Sequence, residues 1–247
     1  MIDPNLFDVL QGERVILFGG SDNFDLPKDH NEWFHVWTNN HWLKHQSMPI
    51  QAAYESAAEP PLGEYPSDSI RFLAGAIDSL YSSKWQLTCD EMAVPFVPYL
   101  YKRYFKPNPY GAQFEWYNRL YADMGTQPFT AMVAAHHLLF YPIHELWITG
   151  CTFYYDRERQ RFPIKRGPHH VGKNRDWLTR LAYGDKRVKL DGFLTEHCTM
   201  ERPELNGHRI TEWDKETRTV WAWEPIPVKV PDQNENPPLD KEAPPIP

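Results

Sequence analysis

Cysteine is scarce in this chain. There are three in 247 residues (Cys89, Cys151 and Cys198), an odd number and widely spaced. That excludes a disulfide framework and fits a reducing compartment, so a cytoplasmic protein is expected. Long apolar runs are missing too. The longest, FTAMVAAHHLLFYPI, is interrupted by His136-His137 and is too short to span a bilayer, so no membrane partner is expected. The opening MIDPNLFDVLQGERV has early aspartates and no basic n-region, and does not read as a signal peptide. Excess positive charge is also lacking: the formal balance is −7, which removes a global nucleic-acid signature. The sequence holds no GxGxxG, no GxxxxGK[ST], no HExxH and no internal repeat. No DxD pair stands at a strand end to hold a divalent ion on a diphosphate, so any sugar-nucleotide chemistry is expected to be metal-independent.

What is present points to an α/β protein. Hydrophobic residues make up 41% of the chain and aromatics 15%, enough for one substantial core. RVILF (14–18) reads as a buried strand ending in Gly19-Gly20-Ser21, and Trp33–Thr38 as a second strand opening onto Asn39-Asn40. A Pro-punctuated stretch over 47–69 reads as a loop. Residues 68–82 have helical spacing at Ile70, Leu73, Ile77 and Leu80 behind a cap-like Asp68 or Ser69. The aromatic, proline-broken segment Pro95–Tyr121 reads as a small helical lid, taken as about 84–125. A helix over 129–140 follows, with at least one of His136 and His137 facing the core. Then come a strand at 145–149, a helix at 174–183, a strand at 188–190 and hairpin-like elements around 208–223. The last 23 residues, from Pro225, contain eight prolines among polar residues and form an extended tail in this reading. The expected organisation is one Rossmann-like, mostly parallel α/β domain over 1–224 and a Pro-rich tail over 225–247.

Several stretches carry candidate chemistry. HELWITGCTFYYD (144–156) sends a strand into Gly150 and then into aromatic hydroxyls, where open α/β sheets bind ligands. FGGSDNF could lay backbone amides on a phosphate, or be a plain tight turn. His41 and His45 have the spacing of two ligands on one helix face, but no third ligand stands at a recognised spacing, and no metal is expected. From Arg157 to Lys189 there are eleven Lys or Arg against three acids, a local balance of +8 around GPHHVGKNRD. A histidine among cations has a lowered pKa, stays neutral and can accept a proton; the plain alternative is a solvated basic loop. Trp33, Trp37, Trp42, Trp116 and Trp177 look available for stacking on a base.

VILFGGSDNF, FHVWTNN, PFTAMVAAHHLLFYPIHELWITGCTFY and HHVGKNRDWLTRL, in that order, resemble the sialyltransferase superfamily, above all small bacterial CMP-sialic-acid-dependent enzymes and related phage or bacterial glycosyltransferases. The likeness covers residues 14–40 and 128–181. It implies a GT-A-variant fold and an inverting, metal-independent transfer from a nucleotide sugar, with no cofactor. Gly19, Gly20 and Ser21 would be the donor-phosphate turn, Asn39 or Asn40 and Thr130 would hold the nucleotide, and Gly150 and Tyr155 would continue the donor site. Tyr154 would support the leaving phosphate, and His169 or His170 would be the base, with His170 nearer the family's His-to-Asp distance from Asp176. Arg166, Lys173 and Arg175 would meet acceptor or phosphate. Gly20 stands where the family usually has Asn, Ala131 where it has Gly, Thr152 where it has an acid and Trp37 where it often has Arg. These departures leave open a CMP-activated sugar other than sialic acid. The acceptor is a glycan or a hydroxymethylated base of DNA, as in phage DNA modification. The alternative is a nucleotide- or nucleic-acid-binding module that has lost catalysis.

Overall fold

Val15 to Phe18 are completely buried, although successive side chains of a strand point to opposite sides. A strand of this kind must lie inside a sheet covered on both faces. The computed structural model describes residues 4–39, 41–55, 68–77, 89–90, 92–101, 115–159, 161–198, 208–214 and 219–225, and shows this arrangement. Its strands are β1 (Arg14–Phe18), β2 (Phe34–Thr38), β3 (Ala52–Glu55), β4 (Phe72–Ile77), β5 (Phe96–Tyr101), β6 (Glu145–Thr149), β7 (Lys165–Arg166), β8 (His169–His170), β9 (Val188–Leu190), β10 (His208–Asp214) and β11 (Thr219–Pro225). The main sheet has seven strands in the order β5-β4-β3-β2-β1-β6-β9, and every neighbouring pair is parallel.

Two apolar clusters lie on the two faces of this sheet. Val15, Leu17, Val36 and Tyr54 join one that includes α1 (Pro4–Leu10), α2 (Glu115–Met124), α3 (Thr130–Leu138) and α4 (Val171–Gly184). Ile16, Phe18, Trp37 and Leu73 join the other, with Trp33, Trp42, Ile50 and Cys89. There Phe18 stacks on Trp37 with ring centres 4.0 Å apart. A short α5 (Gly192–His197) follows β9. A second, antiparallel sheet has the order β10-β11-β7-β8. The late hairpin expected around 208–223 therefore pairs with the basic segment and carries the His169-His170 strand. No helix among the described residues is long and apolar enough to cross a membrane.

Three expectations change. Residues 68–82 do not begin a helix: Phe72–Ile77 is β4, and Phe72, Leu73 and Ala74 are all fully buried. Burial on both faces removes the alternation of a half-exposed strand, and the remaining apolar positions happen to fit helical spacing. The loop expected over 47–69 contains β3, whose Ala-Ala-Tyr-Glu has little β-propensity of its own and is held between β2 and β4. Of the expected lid, Phe96–Tyr101 is the edge strand of the main sheet, and α2 packs Trp116, Tyr117, Leu120 and Met124 into the main core. Residues 78–88, 102–114 and the tail beyond 225 lie outside the described residues.

On α3, His137 is buried between Tyr54, whose hydroxyl lies 2.6 Å from Nδ1, and Tyr141, whose hydroxyl lies 3.4 Å from Nε2. Burial, reinforced by His136, brings its pKa down to about 3. The native state holds this imidazole neutral, whereas in the unfolded chain it protonates near pH 6.5. Below that pH the unfolded state binds more protons, so stability is lost as pH falls from about 6.5 toward about 3. Urea unfolding is expected to show this loss, up to about 1.4 kcal/mol per pH unit for one such group, with a shallower slope for His137→Asn. Equal slopes for the two proteins would contradict the neutral burial of His137.

Candidate functional site at the carboxyl edge of the sheet

The chain steps outward from β1 to β5, then returns to the other side of β1 for β6 and β9. That reversal opens a crevice beyond the carboxyl ends of β1 and β6, the usual ligand position in such sheets. Phe18 is in register with Trp37 on one side and Thr149 on the other, so the segments after β1, β2 and β6 leave from one edge.

The β1 turn is tied to β6. Gly19 donates its N–H to the Thr149 carbonyl (2.8 Å), and Ser21 donates to that of Gly150 (3.0 Å). A Cβ on Gly19 would lie 2.5 Å from both the Cys151 sulfur and the Gly150 oxygen, so only glycine fits. Gly150 itself has φ +68° and sits against Phe24. Two of the three amides expected to cradle a phosphate are thus already bonded. Gly20, with open space where a Cβ would be, remains, together with the Ser21 hydroxyl. Asp191 anchors the β6 side. Its carboxylate accepts from Thr149 Oγ1 (2.8 Å), the Gly150 N–H (3.2 Å) and the Leu194 N–H (2.7 Å), and burial raises its pKa. Sequence reading passed over Asp191; its signal is an N-cap Asp between a short strand and a helix, in LDGF.

Asn39, with φ +52°, continues the ladder by donating its N–H to the Tyr54 carbonyl, and its side-chain oxygen accepts from Thr130 Oγ1 at 3.1 Å. Two predicted nucleotide-holding residues therefore meet directly. Asn40 lies outside the described residues. α3 begins at Thr130 with Phe129 as its N-cap and no side-chain cap; Met132 and Val133 donate their N–H groups to the Phe129 carbonyl.

Phe129 is the hub. Its ring stacks on His169 with centres 4.5 Å apart and lies 5.7 Å from the Tyr154 ring, over which the Arg166 guanidinium sits at 4.5 Å. Its N–H donates to the fully buried Asn174, whose amide in turn donates to the carbonyls of Gln127 and His170. Phe153 and Tyr154 both have positive φ, 49° and 60°, a strain that clusters at functional sites.

The two histidines separate by environment. The His169 Nδ1 lies 3.0 Å from the Gln127 carbonyl; a carbonyl only accepts, so Nδ1 carries the proton and Nε2 keeps a lone pair. Burial lowers its pKa. The His170 Nδ1 instead accepts the Lys173 N–H (3.2 Å) and caps α4, and burial, then Lys173 and Lys165, brings its pKa down to about 4. Of the two, His170 has its Nδ1 lone pair committed to a backbone amide, while the His169 Nδ1 is the protonated nitrogen.

Other predicted residues stand apart. Tyr155 belongs to a different ring group, stacked on His197 (4.9 Å) and against Phe162 and Phe193. Arg175 lies over Phe162 (3.8 Å) and donates to the His197 carbonyl, so it is a structural cation rather than a phosphate contact. Lys173 donates to the Gly125 carbonyl from beside the site. Arg159 and Arg180 pair with Asp156 and Asp123, which lie outside the segment, so two of the eight excess charges are answered within the fold; Arg187 pairs with Asp185, an acid already in the balance. The five tryptophans are all buried and belong to the two faces of the core, not to a stacking surface. Next to the β1 turn, Asp22 meets His41 and His45, which supplies the third partner that sequence spacing did not show.

Comparison with protein-family models, with curated proteins and with solved structures gives no match.

Gly19→Ala is expected to destabilise the protein by about 1–3 kcal/mol, through a backbone contact that cannot relax, while Gly20→Ala is nearly neutral. Thermal denaturation of the two variants checks this. Equal midpoints would mean that β1 and β6 do not approach as closely as described.

Proposed function

We propose that this protein is an inverting glycosyltransferase of the sialyltransferase-like kind, taking its sugar from a nucleotide donor, most simply a CMP-sugar. The observation that carries the reading is the Phe129 hub. It brings a tautomerically fixed His169, Tyr154 and Arg166 beside the helix start whose Thr130 holds Asn39. In this reading the parallel sheet is a GT-A-variant core acting in the cytoplasm.

The His169 Nε2 removes the acceptor hydroxyl proton as the oxygen attacks the anomeric carbon. The glycosidic bond to phosphate breaks with its electrons on the departing nucleotide. The Tyr154 hydroxyl and the Arg166 guanidinium receive that developing charge. A CMP leaving group bears a single phosphate, so the transfer step itself calls for no divalent ion. Because burial lowers the His169 pKa, the base is neutral at a pH where a free imidazole is partly protonated. The acceptor is a glycan or a hydroxymethylated base of DNA. The burial of the tryptophans takes support from DNA. A second reading, a nucleotide-binding module without catalysis, is favoured by the two committed amides of the Gly19–Ser21 turn.

Thermal shift with CMP, UMP, GMP and AMP tests the donor class, and CMP is expected to raise the midpoint most. His169→Ala is expected to lower kcat by about 10²–10⁴ with CMP binding retained. His170→Ala is expected to lower stability by about 0.5–2 kcal/mol through loss of a helix cap, with kcat within a few-fold. No response to any nucleotide would sink the donor assignment. Normal turnover in His169→Ala would remove the base.

A further inference from the structure

We propose that Asp22, His41 and His45 form a three-ligand site for a transition-metal dication of the zinc class, at the rim of the β1 turn. His41 opens a short 3-10 turn (His41–Lys44), and the backbone bond from the His45 N–H to the Trp42 carbonyl extends it. Parallel pairing of β1 with β2 brings this turn against Asp22, 19 residues earlier than His41. Both Nε2 atoms converge on the same carboxylate oxygen, His41 at 2.8 Å and His45 at 3.2 Å, and the three ligand atoms all lie within 4.8 Å of one another. Zinc bonds of about 2.0–2.2 Å in a tetrahedron require ligand atoms about 3.3–3.5 Å apart, so small side-chain shifts that lengthen the two nitrogen–oxygen separations make room for the ion.

The rings are held in place by packing. His45 stacks on Trp37 (5.6 Å between centres) and meets the edge of Phe24 (4.8 Å); His41, 94% buried, meets Phe24 at 5.8 Å. Burial keeps His41 neutral, and hydrogen bonds from His45 and His41 keep Asp22 ionised. Neutral imidazole and carboxylate are the forms that bind metal. A carboxylate only accepts, so without an ion both Nε2 atoms carry a proton; binding the metal moves each neutral ring to its Nδ1–H tautomer and frees the Nε2 lone pair. Two nitrogens with one oxygen select zinc, cobalt or nickel over magnesium or calcium. Asp22 is largely solvent-facing, so a fourth position stays open to water or to an anionic ligand group. A dication here also neutralises the Asp22 carboxylate, next in the chain to Ser21.

The assignment rests on side-chain geometry alone, and its test contains no nucleotide, so it succeeds or fails separately from the transferase reading. Untagged full-length protein is treated with EDTA, desalted and titrated with Co²⁺. A visible absorption band of low-symmetry cobalt is expected, reaching one equivalent, and Zn²⁺ is expected to displace it. Zn²⁺, but not Mg²⁺ at the same concentration, is expected to raise the thermal midpoint. Asp22→Asn and His45→Ala are each expected to weaken Co²⁺ binding at least about tenfold. If His45→Ala fails to fold, the shape-preserving Asp22→Asn decides alone. No band and no zinc-dependent shift in the folded wild type would overturn the proposal, as would a folded Asp22→Asn that binds like wild type.

Discussion

The candidate site depends on how closely β1 and β6 run at their carboxyl ends. Gly19 sits where any Cβ would enter the Gly150 oxygen and the Cys151 sulfur, and its amide is used to continue the ladder. That contact brings Ser21 and Gly150 together and fixes the direction in which the chain leaves each strand. From there Asp25 bonds Thr149, Thr149 bonds Asp191, and Asp191 caps α5. The edge is thus a chain of bonds that ties the β1 turn to β6 and β6 to α5, with little freedom to reshape around a ligand. Specificity must come from side chains standing on this edge.

Those side chains obtain their roles from neighbours that the sequence does not place beside them. Adjacent histidines would be expected to behave alike in one cationic stretch. Instead Gln127 holds one by its Nδ1 proton, and the first turn of α4 takes the Nδ1 lone pair of the other. The difference arises because successive residues of a strand face opposite ways, and His169-His170 is a two-residue strand. A cation counted by its place in the sequence can also have a role that the count does not show. Arg187 clamps Asp185 and the carbonyls of Leu139 and Tyr141, so a cation that looks like part of a surface is a brace at the end of α3.

Legibility from sequence followed the strength of local signals. RVILF before Gly-Gly and ELWIT before Gly150 were readable, because β-branched runs ending in glycine leave few alternatives. So were α3 and its inward His137. β3 and β4 were not, because AAYE and FLAGAI gain their strand conformation from the flanking strands rather than from propensity. Asn39, Thr130, Gly150 and Tyr154, which the sialyltransferase likeness singled out, stand beside element ends, where sequence position is easiest to read. Asp191 and Asp22 were missed: each acts through partners distant in sequence, and each is an ordinary turn aspartate when read locally.

The small antiparallel sheet has a consequence for the order in which the protein is made. Lys165 and Arg166 pair on one side with His170 and His169, and on the other with Val220 and Thr219, more than fifty residues later in the chain. As the polypeptide leaves the ribosome, the parallel sheet out to β9 can assemble while the histidine ribbon still has a bare edge. Arg166, which lies over Tyr154, gains its Thr219 partner only when β11 arrives. The fold therefore matures from its parallel scaffold toward its small antiparallel sheet, in which the β7 edge stays bare until β11 arrives.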